Sequence, residues 1–147
     1  HITNTSNSPV EAFEMEYPVM IREYGLVEDS GGAGRHRGGL GIRRVYKPIG
    51  HVASFNAVGE RFRHKPWGLD GGQSGACGQF IIRDDNGVDT KLPGKVATQL
   101  LRPDQSLIIE SPGAGGYGSP SERDPVSILE DRKSEKFSDT YIKRYYG

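Results

Sequence analysis

A chain of 147 residues with 34% hydrophobic residues, 21 glycines and 9 prolines suits one domain, with a core thin enough that covering surface from a partner is expected. Nineteen basic residues balance nineteen acidic ones, which excludes the strong positive field of a non-specific nucleic-acid binder. No apolar run reaches bilayer-spanning length, residues 1–8 lack a signal-peptide pattern, and the single cysteine, Cys77, rules out an intrachain disulfide and a cysteine-based zinc site.

These features place the chain in a reducing, cytoplasmic compartment, with no membrane and no nucleic-acid partner. Because the first residue is His1 and not Met, the chain is expected to begin inside a longer reading frame or after a cleavage.

In chain order, Ser8-Pro9-Val10-Glu11 predicts a helix start, with Ser8 as cap, Pro9 at the first helical position and Glu11 closing a capping box; the helix runs over 9–16. Tyr17 to Val27 reads as a strand, with Val19 and Ile21 on one face and Met20 and Tyr24 on the other. It stops at Asp29-Ser30-Gly31-Gly32. Gly41 to Ile49 and Val52 to Val58 follow, the latter apolar on both faces and so expected at the centre of a sheet. After a Phe80 to Ile82 strand, Asp85-Asn86-Gly87 signals a tight hairpin. Arg102-Pro103-Asp104 is a turn leading into a strand over Ser106 to Glu110. In the tail, Asp124-Pro125 and Ser138 mark two short helices. The predicted fold is α+β: mainly antiparallel β with glycine-rich loops and a short helical tail. It divides into a polar loop and short helix over 1–16, a β-rich unit over 17–119 and the tail over 120–147.

Local chemistry is sparse. The four histidines are scattered, and the sequence has no HExxH, CxxC or GxSxG motif. Gly113-Ala114-Gly115-Gly116-Tyr117-Gly118 matches GxGxxG, but Pro112 precedes it and Ser119-Pro120 follows before any helix, so a close-packed backbone turn is expected and not a dinucleotide cradle. The Ser30 to Gly41 run is read either as an anion nest or, preferably, as a wide connection between strands. Arg61-Phe62-Arg63-His64-Lys65-Pro66-Trp67 groups cations beside an aromatic; it can grip a carboxylate or phosphate through Arg61 and Arg63, or stand as ordinary surface charge with Glu60 as counter-ion. Residues 1–8, small and polar, serve either as capping and turn chemistry or as the wall of a pocket for a polar neutral ring.

The order of these segments carries a resemblance. NTSNSPVEAFE (Asn4 to Glu14), Tyr17-Pro18, SGGAGRHRGG (Ser30 to Gly39), PWGLDGGQSGACG (Pro66 to Gly78), LPGK (Leu92 to Lys95), ESPGAGGYG (Glu110 to Gly118) and ERDP (Glu122 to Pro125) stand in sequence. Together they resemble the C-terminal portion of hydantoinase B/oxoprolinase proteins, including N-methylhydantoinase B-type subunits. Ser8 stands where the family usually has Thr before the proline.

The resemblance implies part of a larger subunit. Its partners would be the remainder of the B-type subunit and an A-type, actin-like subunit that binds ATP with Mg. A divalent metal would sit in the N-terminal region of the B-type subunit. It implies an ATP-dependent hydrolase of cyclic amides (hydantoin, 5-oxoproline or lactam) acting on a phosphate-activated small molecule. An ATP-dependent acetone- or acetophenone-type carboxylase is the alternative within the family, and a structural docking module without chemistry of its own is the alternative outside it. No catalytic residue is transferred; His1, Asn4 and Asn7 are the pocket-lining candidates, and the segment alone is expected to be inactive.

Overall fold

The computed structural model describes residues 7–147. Strands β1 (Val19–Leu26), β2 (Ile42–Pro48), β4 (Gln79–Asp84), β5 (Asp89–Leu92) and β7 (Gln105–Glu110) form one sheet in the order β1-β2-β7-β4-β5. Every pairing in it is antiparallel. Strands β3 (Ala53–Val58) and β6 (Lys95–Leu101) pair separately as an antiparallel two-stranded ribbon. Helix α1 (Val10–Glu16) precedes β1, and α2 (Pro125–Lys133) and α3 (Asp139–Tyr146) end the chain. The fold is α+β and mainly antiparallel, as the sequence predicts.

Alternation along the strands divides the sheet into two unlike faces. Ile82 and Leu107 point to one face, where they bury with Leu101 of the ribbon against Tyr46, Phe55, Leu92 and Ile109. Each such aliphatic side chain stabilises the fold by about 1.5–3 kcal/mol. The ribbon is held there by aromatic contact as well, Phe55 meeting Phe80 edge-on at 5.3 Å. The opposite face is charged: Arg43 pairs with Glu110 at 2.6 Å and Lys47 with Asp85 at 2.5 Å. The β4–β5 hairpin forms where Asp85-Asn86-Gly87 places it. Gly87 takes φ +83°, and the Asp84 carboxylate accepts the amides of Asn86 and Val88 at 3.0 and 2.8 Å.

Three local expectations are corrected. Strand β3 is not central: it belongs to the ribbon, and Val58 on its outer side is 73% exposed. Its two apolar faces therefore do not mean two covered faces. Helix α1 begins one residue late, with Pro9 in the cap position and no side-chain cap, so Ser8 does not cap it. The helix is tied instead by Glu14, whose carboxylate accepts the Ile21 amide at 2.6 Å. A bulge in β1 between Ile21 and Glu23 shifts the register by one residue. As a result Tyr24 shares the face of Ile21, both lining one pocket, where strict alternation had put them on opposite sides.

Candidate functional site

The glycine-rich segments define the interior wall. Residues 30–41, 66–78 and 111–118 run against one another with almost no side chain between them. A Cβ on Gly113 would lie 1.8 Å from the Ser30 carbonyl oxygen, one on Gly38 2.0 Å from that of Ala114, and one on Gly116 2.1 Å from that of Ala33. Backbone groups take the place of side-chain packing. Gly32 N–H donates to Ala114 O, Gln73 N–H to Ala33 O, Gly116 N–H to Gln73 O and Ala76 N–H to Ser30 O, all between 2.7 and 2.8 Å. Ser30, Gly31, Gly32, Ala33 and Gly34 are all buried, so these polar groups need partners, and the stack supplies them.

This arrangement decides how the GxGxxG match is read. The amides of Gly113, Ala114, Gly116, Tyr117 and Gly118 donate to the carbonyls of Ala76, Gly39, Gln73, His36 and Leu69. A phosphate cradle needs those donors free and aimed at a ligand. The residues present do not fit a nucleotide. The 30–41 run is likewise an interlocked connection, its Gly32, Arg35, His36 and Gly38 amides all given to backbone oxygens.

The helical tail fastens onto this stack. Asp124 caps α2 by accepting the Ser127 amide, and Ser138 caps α3 by accepting that of Tyr141, both as expected from the sequence. On α2, Asp131 is 5% exposed and accepts from Arg37 at 2.9 Å and from Arg123 at 2.6 Å. On α3, the Tyr141 hydroxyl donates to the Gly31 carbonyl at 2.5 Å. Burial pushes the Tyr141 phenol well above its usual pKa, with the neighbouring Tyr146 and Tyr145 hydroxyls adding to the shift. Asp29 accepts both the amide and the hydroxyl of Ser138, at 2.8 and 2.6 Å.

A small pocket of about 160 Å³ lies between α1 and the β1–β2 pair, lined by Ser8, Val10, Phe13, Ile21, Tyr24, Arg44 and Tyr46. Asn7 adjoins this group through Arg44, whose guanidinium donates to the Asn7 side-chain carbonyl. Arg44 also donates to the Tyr24 and Tyr46 hydroxyls at 3.3 and 3.5 Å. Residue-by-residue reading missed this group. Its signal was slight: Arg44 and Tyr46 are two apart on a strand, so they share a face, but only the β1 bulge brings Tyr24 to join them.

Of the other predicted site residues, His1 and Asn4 lie outside the described residues. Asn7 is exposed and touches Arg44. Arg61 is exposed, with its guanidinium 4.3 Å from the Trp67 ring centroid in a cation–π contact. Arg63 is exposed on the same loop. Phe62 between them packs on Phe80 at 4.5 Å, so the loop is anchored by an aromatic and presents its cations outward. Asn7 and the two arginines share no hydrogen bond among the described residues. Among the described residues no three His, Cys, Asp or Glu side chains are grouped to hold a metal ion. No helix among them is long and apolar enough to cross a membrane.

Comparison with known proteins follows the same segments. The family model described as hydantoinase B/oxoprolinase matches residues 1–120. An uncharacterized protein of Methanocaldococcus jannaschii is 51% identical over 133 residues, covering 90% of this chain and 23% of its own length. The 5-oxoprolinase 1 of Arabidopsis thaliana is 40% identical over 122 residues, covering 81% of this chain and 9% of its own. Among solved structures, the ATP-dependent caprolactamase of Pseudomonas jessenii superposes with a TM-score of 0.85 at 26% identity, over 96% of this chain and 25% of that one. The chain therefore spans about a quarter or less of the length of these proteins.

Proposed function

The chain belongs to the hydantoinase B/oxoprolinase family, and from that premise we propose that it is the C-terminal part of the B-type subunit of an ATP-dependent hydrolase of cyclic amides. The ring would be a 5-oxoproline, a hydantoin or a lactam. The observation that carries this reading is the 40% identity, over 81% of the chain, to a protein named 5-oxoprolinase. An unactivated ring amide is a poor electrophile, and a phosphoryl group placed on its oxygen is the chemistry ATP would supply.

In this proposal ATP and Mg are held by an A-type partner, and a divalent metal by the remainder of the B-type polypeptide. The satisfied amides of the glycine stack support that division, since they leave no phosphate cradle here. What this chain's own residues do is build a wall: the stack fixes position and excludes water, while Asn7, with His1 and Asn4, presents neutral hydrogen-bonding groups to a polar ring. Arg61 and Arg63 are assigned to an outward-facing anion-binding surface, with Trp67 holding the Arg61 guanidinium in place. A cytoplasmic location accords with the free Cys77.

The test uses the whole B-type protein purified with its A-type partner. ATP hydrolysis coupled to ring opening of 5-oxoproline, hydantoin or a lactam is the expected result. Turnover only with acetone or acetophenone plus bicarbonate would make it a carboxylase and overturn the hydrolase reading. Residues 1–147 alone should hydrolyse neither ATP nor amide. Robust turnover by that segment would overturn the division of labour.

A further inference from the structure

Seven of the chain's twelve arginines pair with carboxylates: Arg35 with Glu122, Arg37 and Arg123 with Asp131, Arg43 with Glu23 and Glu110, Arg83 with Asp89, Arg102 with Asp104 and Arg132 with Asp139; four of the other five, Arg22, Arg61, Arg63 and Arg144, are exposed to solvent. Arg44 is different. It is half-buried in the floor of the α1–β1–β2 pocket, yet among the described residues its hydrogen-bond partners are neutral: the Asn7 carbonyl and the Tyr24 and Tyr46 hydroxyls. The residues outside the described part, His1 to Ser6, include no Asp or Glu that could neutralise it. A partly desolvated guanidinium in a cavity, with no counter-charge supplied by residues 1–147, is a receptor for an anion.

We propose that Arg44, with the Tyr24 and Tyr46 hydroxyls, is a subsite for the carboxylate of a small molecule. It rests on the cyclic-amide reading and narrows it, since the preferred ring then carries a carboxylate.

Five features fit this ligand. The pocket of about 160 Å³ is below the several hundred Å³ usual for a whole ligand, so it suits one substituent and not an entire ring. Guanidinium and carboxylate match as a planar, two-pronged pair, which a lysine would not reproduce. Tyr24 and Tyr46 each carry an O–H, so either can turn to donate to a carboxylate oxygen once Arg44 is engaged. Asn7 hydrogen-bonds Arg44, so a carboxylate seated on that guanidinium leaves the rest of its molecule near the neutral Asn7 amide. Phe13, Val10 and Ile21 add apolar surface to the lining, which lowers the local dielectric and strengthens the charge–charge attraction.

The test compares 5-oxoproline with 2-pyrrolidone, the same ring without the carboxylate, on the complete B-type subunit with its partner. Binding of each is measured by calorimetry, so the result does not depend on turnover. The wild-type complex should bind 5-oxoproline more tightly. In R44Q the ratio of the two Kd values should fall by roughly 10- to 100-fold, the loss expected for a charge-assisted hydrogen bond. Should R44Q not fold, Asn7→Asp keeps the arginine and gives it an internal carboxylate. It should cut the same ratio by a similar factor. R44K should fail to restore the ratio.

A ratio unchanged within about twofold in a folded R44Q or Asn7→Asp complex overturns the subsite. So does a wild type that does not distinguish the two rings, as would follow if a carboxylate from elsewhere in the B-type polypeptide already sits on Arg44. If 5-oxoproline binds in an Arg44-dependent way but no cyclic amide is ever opened, the subsite stands and the hydrolase reading falls.

Discussion

Two adjacent glycines give the sharpest test of the backbone stack. Gly38 is buried, and a Cβ there would lie 2.0 Å from the Ala114 carbonyl oxygen and 2.5 Å from its carbon. Gly39 is exposed, and a Cβ there would meet nothing within 4 Å. Neither has a positive φ, so Gly→Ala at each is a matched pair that differs only in what the methyl group meets. At Gly38 the contact is backbone, which cannot rotate aside, and relief requires about 1 Å of separation between the 38 and 114 segments. That shift would stretch the Gly32 N–H to Ala114 O bond of 2.8 Å and the Ala114 N–H to Gly39 O bond of 2.9 Å. Overpacking costs about 1–3 kcal/mol, and each weakened bond adds about 1 kcal/mol. Gly38→Ala should therefore destabilise by roughly 3–5 kcal/mol, a large share of a domain's total stability. Gly39→Ala should be neutral or stabilise by up to about 1 kcal/mol, through the reduced entropy of the unfolded chain. Chemical denaturation of the B-type subunit, followed by far-UV circular dichroism, measures both. Equal losses at the two positions, or a Gly38→Ala loss under about 1 kcal/mol, would refute the idea that this interior has no room for a methyl group.

Two further outcomes follow from the tail. Asp131→Asn leaves Arg37 and Arg123 facing a neutral amide in a buried site, so denaturation should show a loss of about 3–5 kcal/mol; a loss below about 1 kcal/mol would mean the tail is held by its aromatic contacts alone. Tyr141 has a raised phenol pKa, caused first by burial. Its contribution is thus fully present below the ordinary tyrosine pKa near about 10 and is lost as pH rises through the higher folded value, because the tyrosinate cannot donate to the Gly31 carbonyl. Tyr141→Phe should lower stability by about 1 kcal/mol at neutral pH and flatten the alkaline limb, as read by stability measurements from about pH 8 upward. An identical alkaline limb in both proteins would remove Tyr141 from the account.

Features encoded within a few residues were legible in the sequence. Asp85-Asn86-Gly87 states its own turn, and Asp124-Pro125 and Ser138 state their own helix starts, because the groups that satisfy them are two to four residues away. Most of the misreadings share one cause, partners distant in the chain. The two apolar faces of Val52 to Val58 suggest a central strand, but only the fold shows that β3 has a single strand partner. Strands β5 and β6 carry few buried residues and so no clear period. The glycine segments were readable as a close-packed turn over 113–118 and a wide connection over 30–41 but not as one stack, since the carbonyls that crowd Gly38 and Gly113 come from Ala114 and Ser30, far away in the chain. Ser8 was given a cap role on local grammar, yet Pro9 holds that position. Arg44 went unnoticed because its isolation from carboxylates is a property of the assembled pocket.

The interlocked glycine segments also constrain how the chain can be made. Residue 113 rests on residue 30, and residue 116 on both 33 and 73, so residues 30–41 and 66–78, although they bond to each other through Gln73 and Ala76, lack the third member of the wall until residues 111–118 have been made. Until then the Gly32 amide and the Gly39, Gln73 and Ala76 carbonyls lack the partners that residues 113–116 supply, and a synthesis pause ahead of Gly113 would leave those groups facing water.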